Sequence, residues 1–78
     1  MKTDKEMRDI IRANIKRLRV ENDKTQLDIA KFCGKSENAV GSWEQGLSLP
    51  DIVTIAKLAQ LYSVPIDSFY KEVILDET

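Results

Sequence analysis

Histidine is absent from this 78-residue chain, and cysteine occurs once, at Cys33. Those two shortages remove the commonest general base, the commonest metal ligand and most thiol chemistry. A lone cysteine can form no internal disulfide, and no cysteine cluster is present to hold zinc; Cys33 reads as a small buried hydrophobe. Glycine is scarce at three residues, and none of the three belongs to a Gly-rich phosphate loop. The remaining Asp, Glu and Lys residues suggest no paired catalytic site, so an enzyme is the weakest reading and no cofactor is expected. Long apolar runs are missing too: nothing approaches the roughly 18 residues that span a bilayer. The N-terminal MKTDKEMRD lacks the apolar stretch of a signal peptide, which makes the cytoplasm the expected location. Neither alternating strand patterns, repeats nor low-complexity segments occur.

What is present is a small, charged and evenly mixed composition, with 42% hydrophobic and 32% charged residues. That is the make-up of one globular domain with a modest core. The net charge of −1 conceals an asymmetry. Residues 1–35 carry ten Lys/Arg against six acids (+4), whereas residues 36–78 carry two Lys against seven acids (−5). Such a split is expected of a chain with one nucleic-acid face and one solvent or partner face. It also predicts weak non-specific DNA binding, since few phosphates can be neutralised.

Helical spacing runs through most of the chain. Residues 1–6 read as a mobile charged arm without periodicity. From Met7, apolar residues at 7, 10, 11, 15 and 18 predict a first helix, and Asn22-Asp23 supply loop chemistry. Thr25 is a good N-cap with Asp28 three residues on, predicting a helix over 26–33 that Gly34 stops. Ser36 caps a third helix reaching Gln45, ended by Gly46. Pro50 suits the first turn of a fourth, with Ile52, Ile55, Ala56, Leu58, Ala59 and Tyr62 on its inner side. Val64-Pro65 breaks that helix, and a short fifth runs from Ile66 to Tyr70. The fold class is therefore all-α, a compact five-helix domain over residues 7–70, with 71–78 as a tail.

The third helix is unusual in its outer face. At about 100° per residue, Ala39, Val40 and Trp43 cluster on one side. Glu37, Asn38, Gly41, Ser42 and Gln45 lie opposite. Gly41 costs about 1 kcal/mol relative to Ala inside a helix, and a face built only for solubility would more often use Glu, Lys and Arg. Short side chains let a helix approach another surface closely. Two short helices joined at a tight Gly turn are also what a protein needs to press one helix into the DNA major groove and brace it with the other. Trp43 belongs to the core side rather than to a base-stacking platform.

The stretch TQLDIAKFCGKSENAVGSWEQGLSLP at 25–50 resembles the helix-turn-helix of the phage repressor and Cro family, related to the xenobiotic-response-element regulators. The likeness extends over residues 11–70 through IKRLR at 15–19, VGSWEQG at 40–46, Pro50-Asp51 and LAQLYSVPID at 58–67. It implies a lambda-repressor-like DNA-binding domain whose third helix, about residues 36–45, reads operator DNA. It further implies backbone phosphate contacts from Thr25 and Gln26, where a helix start attracts anions. Base contacts are implied for Ser36, Glu37, Asn38 and Ser42, with Asn38 able to pair bidentately with adenine. Lys35, Gln45 and Ser48 are the other backbone candidates. Arg19 and Glu44 match a structural salt bridge of the family.

Three departures bear on affinity. Lys35 stands where an apolar residue is usual and is free to reach a phosphate. Gly41 and Ser42 replace more strongly polar residues, and the loop LSLP after Gly46 has no Lys or Arg. A homodimer on a palindromic operator is expected; Val73, Ile74 and Leu75 offer the tail as a possible dimerisation segment. The resemblance thus points to a transcriptional regulator, a repressor by preference. The rival reading is a protein-interaction module on the same fold, such as an antitoxin or anti-repressor partner, favoured by the thin basic content and Glu37.

Overall fold

The computed structural model describes residues 1–73. Four α-helices, α1 (Asp4–Glu21), α2 (Gln26–Cys33), α3 (Glu37–Gln45) and α4 (Ile52–Leu61), are followed by a 3-10 turn, Ile66–Phe69. The expected fifth helix is thus that single turn. No helix among the described residues is long and apolar enough to cross a membrane. α2 packs on α3, α3 on α1, and the 3-10 turn closes the assembly against α4 and α1.

Each α-helix starts at a side chain that accepts an otherwise orphaned backbone N–H. Thr25 Oγ1 accepts from Asp28 N at 3.0 Å while Asp28 Oδ2 accepts from Thr25 N at 2.8 Å, a reciprocal capping box. Ser36 Oγ accepts from Ala39 N at 3.1 Å. The first helix departs from expectation at its start. Residues 1–6 are not an unstructured arm throughout, because Thr3 and Glu6 form a second capping box and α1 begins at Asp4. The T-x-x-E pattern of Thr3 and Glu6 is a local start signal that apolar periodicity does not contain.

α2 and α3 end at Gly34 and Gly46, whose φ values of +67° and +78° lie in the left-handed region that glycine enters without a Cβ clash. The core between the helices contains Ile15, Leu18, Ile29, Val40, Trp43, Ile55, Leu58 and Phe69, all buried. Burial pushes the Cys33 thiol up, which keeps it protonated and inert at neutral pH. Tyr62 is pushed up to about 12 by the same cause.

On α4 the expected inner side holds at Ile55, Leu58, Ala59 and Tyr62 and fails at Ile52 and Ala56, while Thr54 turns inward. Thr54, Ile55, Leu58 and Ala59 are buried, whereas Ile52 and Ala56 are exposed. Asp51, not Pro50, sets the start, its carboxylate accepting from Thr54 N at 2.8 Å. The sequence IVTIAKLAQL is apolar on nearly every side, so periodicity alone cannot choose which arc turns inward.

One buried polar residue ties the two chain ends together. Asn14 Nδ2 donates to the carbonyls of Phe69 at 3.1 Å and Lys71 at 2.8 Å, and its Oδ1 accepts from Arg17. Those bonds satisfy a side chain that is only 2% exposed. Past them Val73 is exposed; Ile74 and Leu75 lie outside the described residues.

Candidate nucleic-acid interface

The α2–α3 pair is held by a polar cluster buried beneath it. Arg19 of α1 grips Glu44 of α3 with both arms of its guanidinium, Nε to Oε2 at 2.6 Å and Nη2 to Oε1 at 3.0 Å. The third guanidinium nitrogen, Nη1, donates to the carbonyl of Lys24 at 2.8 Å, just before the α2 cap. Gln26, the first residue of α2, donates from Nε2 to Glu44 Oε1 at 3.1 Å. One carboxylate therefore locks three helices, and its side chain is only 4% exposed. Burial pushes the Glu44 carboxyl up, but the hydrogen bonds from Arg19 and Gln26 and the charges of Arg19 and Lys16 outweigh it. Glu44 consequently titrates below the ordinary glutamate value, while its hydrogen bond holds Arg19 up. No buried side-chain nitrogen or oxygen among the described residues lacks a partner.

Gly41 belongs to this packing. It is buried against the Gln26 side chain, not displayed on the outer face where helical periodicity puts it. A Cβ built there would stand 3.8 Å from Gln26 Oε1, ordinary van der Waals contact. The fit of α2 on α3 therefore has room for one more carbon at this position.

On the outer side, Ser36, Glu37, Asn38 and Gln45 are exposed and Ser42 is half-buried. Lys35, Thr25 and Ser48 are exposed beside them. All the residues singled out in the sequence for contact therefore lie on α3, at the start of α2 or in the adjoining turns. The hydroxyls of Thr25 and Ser36 accept from backbone N–H groups but keep their own protons to donate. The structure adds Arg12, whose side chain lies against Gly46 at the C-terminal end of α3, and which composition alone did not single out. Its guanidinium is engaged on α1 itself, Nε donating to Asp9 Oδ1 at 3.1 Å.

Residues 15–69 match the family model described as Helix-turn-helix, well over half of the chain. The chain belongs to the Cro/C1-type helix-turn-helix family. It is 39% identical over 54 residues to the cryptic phage CTXphi transcriptional repressor RstR of Vibrio cholerae, a match covering 69% of this chain and 49% of that protein. The chain thus spans about half the length of this curated relative. Two solved structures share the fold. The hypothetical transcription factor NHTF from Neisseria superposes with a TM-score of 0.77 at 19% identity, over 92% of this chain and 83% of that one. The SOS-response transcriptional repressor LexA from Eubacterium rectale gives 0.79 at 24% identity, over 100% and 88%.

The geometry refines one of the family-derived roles. Gln26 is not a free first-turn amide: one of its N–H groups is committed to Glu44, which leaves the second for an outside acceptor. The carboxylate of Asp28, lowered chiefly by its hydrogen bond from the Thr25 backbone N–H, sits at the same helix start and opposes an incoming anion. The Arg19–Glu44 pair is present as the family pattern implied.

Proposed function

We propose that this chain is a sequence-specific DNA-binding transcriptional regulator, a repressor, that lays α3 in the major groove of a palindromic operator as one half of a homodimer. The observation that carries this reading is the contrast across α3. Its inner side is fixed by the Arg19–Glu44–Gln26 cluster, while its exposed N-terminal residues Ser36, Glu37 and Asn38 present hydrogen-bonding groups to the outside. In this reading Asn38 reads an adenine, Ser36 and Ser42 bond to base edges, and Glu37 accepts from a cytosine amine. Thr25, the second N–H of Gln26, Lys35, Gln45 and Ser48 hold the sugar–phosphate backbone and set the register. Such a protein acts where the chromosome is, in the cytoplasm, and needs no catalytic centre or cofactor.

The test is selection from a pool of random duplex DNA at two salt concentrations. A two-fold symmetric sequence is expected to be enriched, and its enrichment to disappear with Asn38→Ala. Weak, salt-sensitive binding without enrichment would refute the proposal. It would favour the second reading, a protein-interaction module, which the carboxylates of Glu37 and Asp28 on this side of the molecule support.

A further inference from the structure

The outer side of α1 is built of parallel rows of side chains. Arg12, Lys16 and Val20 recur at four-residue spacing with Ala13 and Arg17 beside them, and the furrow between the rows, about 390 Å³, is lined also by Glu44 of α3. Furrows between such rows are where a ridge of another helix packs. Ala13 is exposed and Val20 is 54% exposed, which makes the floor apolar. The three cations are unequally occupied. Arg17 is committed to Glu21 and Asn14 through all three of its nitrogens. Among the described residues Arg12 pairs through Nε alone, with Asp9, and Lys16 takes part in no ion pair. Glu44, the one acid of the lining, already faces Arg19 and has a side chain only 4% exposed. The furrow is therefore positive. A larger groove between α1 and residues 71–73, about 570 Å³, sets Lys2, Arg17 and Lys71 against Glu6, Asp9 and Glu72 and favours neither sign.

We infer that the furrow docks an acidic, amphipathic helix of a partner protein, and that a helix seated there excludes operator DNA. The exclusion, though not the docking, rests on the operator reading proposed above. Two observations choose the occupant. First, the unanswered ammonium of Lys16 and the remaining guanidinium nitrogens of Arg12 call for an anionic acceptor, a carboxylate or a phosphate. Second, the apolar floor between them selects the carboxylate. A phosphodiester backbone gains nothing by covering Ala13 and Val20, whereas a helix with leucines along one side and acids on its flanks answers floor and rim together. The exclusion follows from position. Gln26 donates to Glu44 at 3.1 Å, and exposed Gln45 is the next residue of α3. A helix is about 10 Å across with its side chains, so one lying against Glu44 covers both of these backbone-contacting residues and sets its carboxylates where a phosphate would stand. The contact is small, well below the area of a standard interface, and so is weak and reversible.

The probe is a blocked peptide of about 15 residues, long enough to be helical, with leucine at every third or fourth position, glutamate on both flanks and alanine elsewhere. Titrated into the full chain, it is expected to shift the methyl signals of Ala13 and Val20 to saturation. The same peptide with lysine for glutamate should not. Lys16→Glu and Val20→Gln should each weaken binding about tenfold or more. Ile52→Gln/Val53→Gln, which alters the exposed apolar side of α4, should leave it unchanged. All four positions are exposed, so folding survives, and thermal melts confirm it. The acidic peptide should also release the duplex enriched from the random pool from the parent chain, and at the same concentration not from Val20→Gln, which binds that duplex as the parent does. Equal binding of the lysine peptide, or binding lost in Ile52→Gln/Val53→Gln, overturns the docking site. So does the absence of peptide binding; a Lys16→Gln chain whose duplex affinity then depends on salt less steeply by about one counterion would make the furrow a phosphate contact instead. Peptide and duplex bound at once overturn the exclusion. Failure of the selection to enrich any sequence removes the DNA reading and the exclusion with it, while the peptide titration still decides the docking.

Discussion

The helices α3 and α4 are alike in length and in their manner of starting, yet they turn opposite kinds of surface outward. Ser36 caps α3 and Asp51 caps α4, and each helix buries an apolar arc against the same core. Outward, α3 shows Glu37, Asn38 and Gln45, while α4 shows Ile52, Val53 and Ala56. The inner sides differ as well. That of α3 holds a buried ion pair and an amide besides Val40 and Trp43; that of α4 holds only apolar groups and Thr54. The apolar contacts of α4 are non-directional and serve stability alone. The forked bond from Arg19 fixes the orientation of α3 as well, because guanidinium and carboxylate meet in one geometry. A helix that must present particular atoms to a partner gains from that constraint, and a helix that merely covers another surface does not.

The largest effect should come from breaking the constraint. Glu44→Ala leaves Arg19, whose side chain is only 13% exposed, without its counter-charge and frees Gln26. A loss of about 3 kcal/mol or more in urea denaturation is expected. The corresponding acid sensitivity has a definite sign. Glu44 is lowered in the folded state from 4.5, so its contribution is complete above that value and disappears as pH falls through the lower folded value. Asp28 and Asp51, held below 3.8 chiefly by the backbone N–H groups they cap, act in the same direction. Glu44→Gln, less disruptive in shape, should flatten the dependence of stability on pH below 4.5; an unchanged acid transition would show that the pair carries little of it.

Asn38→Ala should do the reverse. The residue is exposed and removes nothing from the core, so stability should move by less than about 0.5 kcal/mol. Affinity for the selected duplex should fall by about 1–3 kcal/mol, with the preference relaxed at one base pair. Equal losses in stability and in binding would erase the distinction between the two sides of α3.

These contrasts were unevenly legible in the sequence. The helix boundaries at Thr25, Gly34, Ser36 and Gly46 are local chemistry, a cap or a left-handed residue beside an apolar run, and they stand where they were expected. The Arg19–Glu44 pair is separated by 25 positions and became visible only through the resemblance to a family. Asn14 gave no signal, because its partners are backbone carbonyls 55 and 57 positions away that any residue could have supplied. The edges of the α4 arc, at Ile52, Thr54 and Ala56, differ for another reason: where apolar residues occupy most sides of a helix, the neighbouring helices choose the buried one.

Glycine offers the sharper test of how the middle and the end of α3 are built. Gly46→Ala demands a left-handed backbone from a residue with a Cβ, and that Cβ would approach Arg12 Cδ to 2.9 Å. About 1–2 kcal/mol should be lost from the backbone alone, with Arg12 displaced besides.

Gly41→Ala should act in the opposite direction and by less. The position lies in the middle of α3 with helical backbone, and alanine there removes the conformational freedom that glycine keeps in the unfolded chain. The new methyl would sit in ordinary contact with the Gln26 amide, neither leaving a void nor forcing α2 away. A gain of up to about 1 kcal/mol is expected, read as a higher urea midpoint with unchanged slope. Binding to the selected duplex should be unaltered, since the methyl is turned toward α2. A stabilised variant with weakened DNA binding would mean that Gly41 serves the outer side after all. A destabilised one would mean that the close fit of α2 on α3 has no room for one carbon, and that Gln26 must shift to admit it.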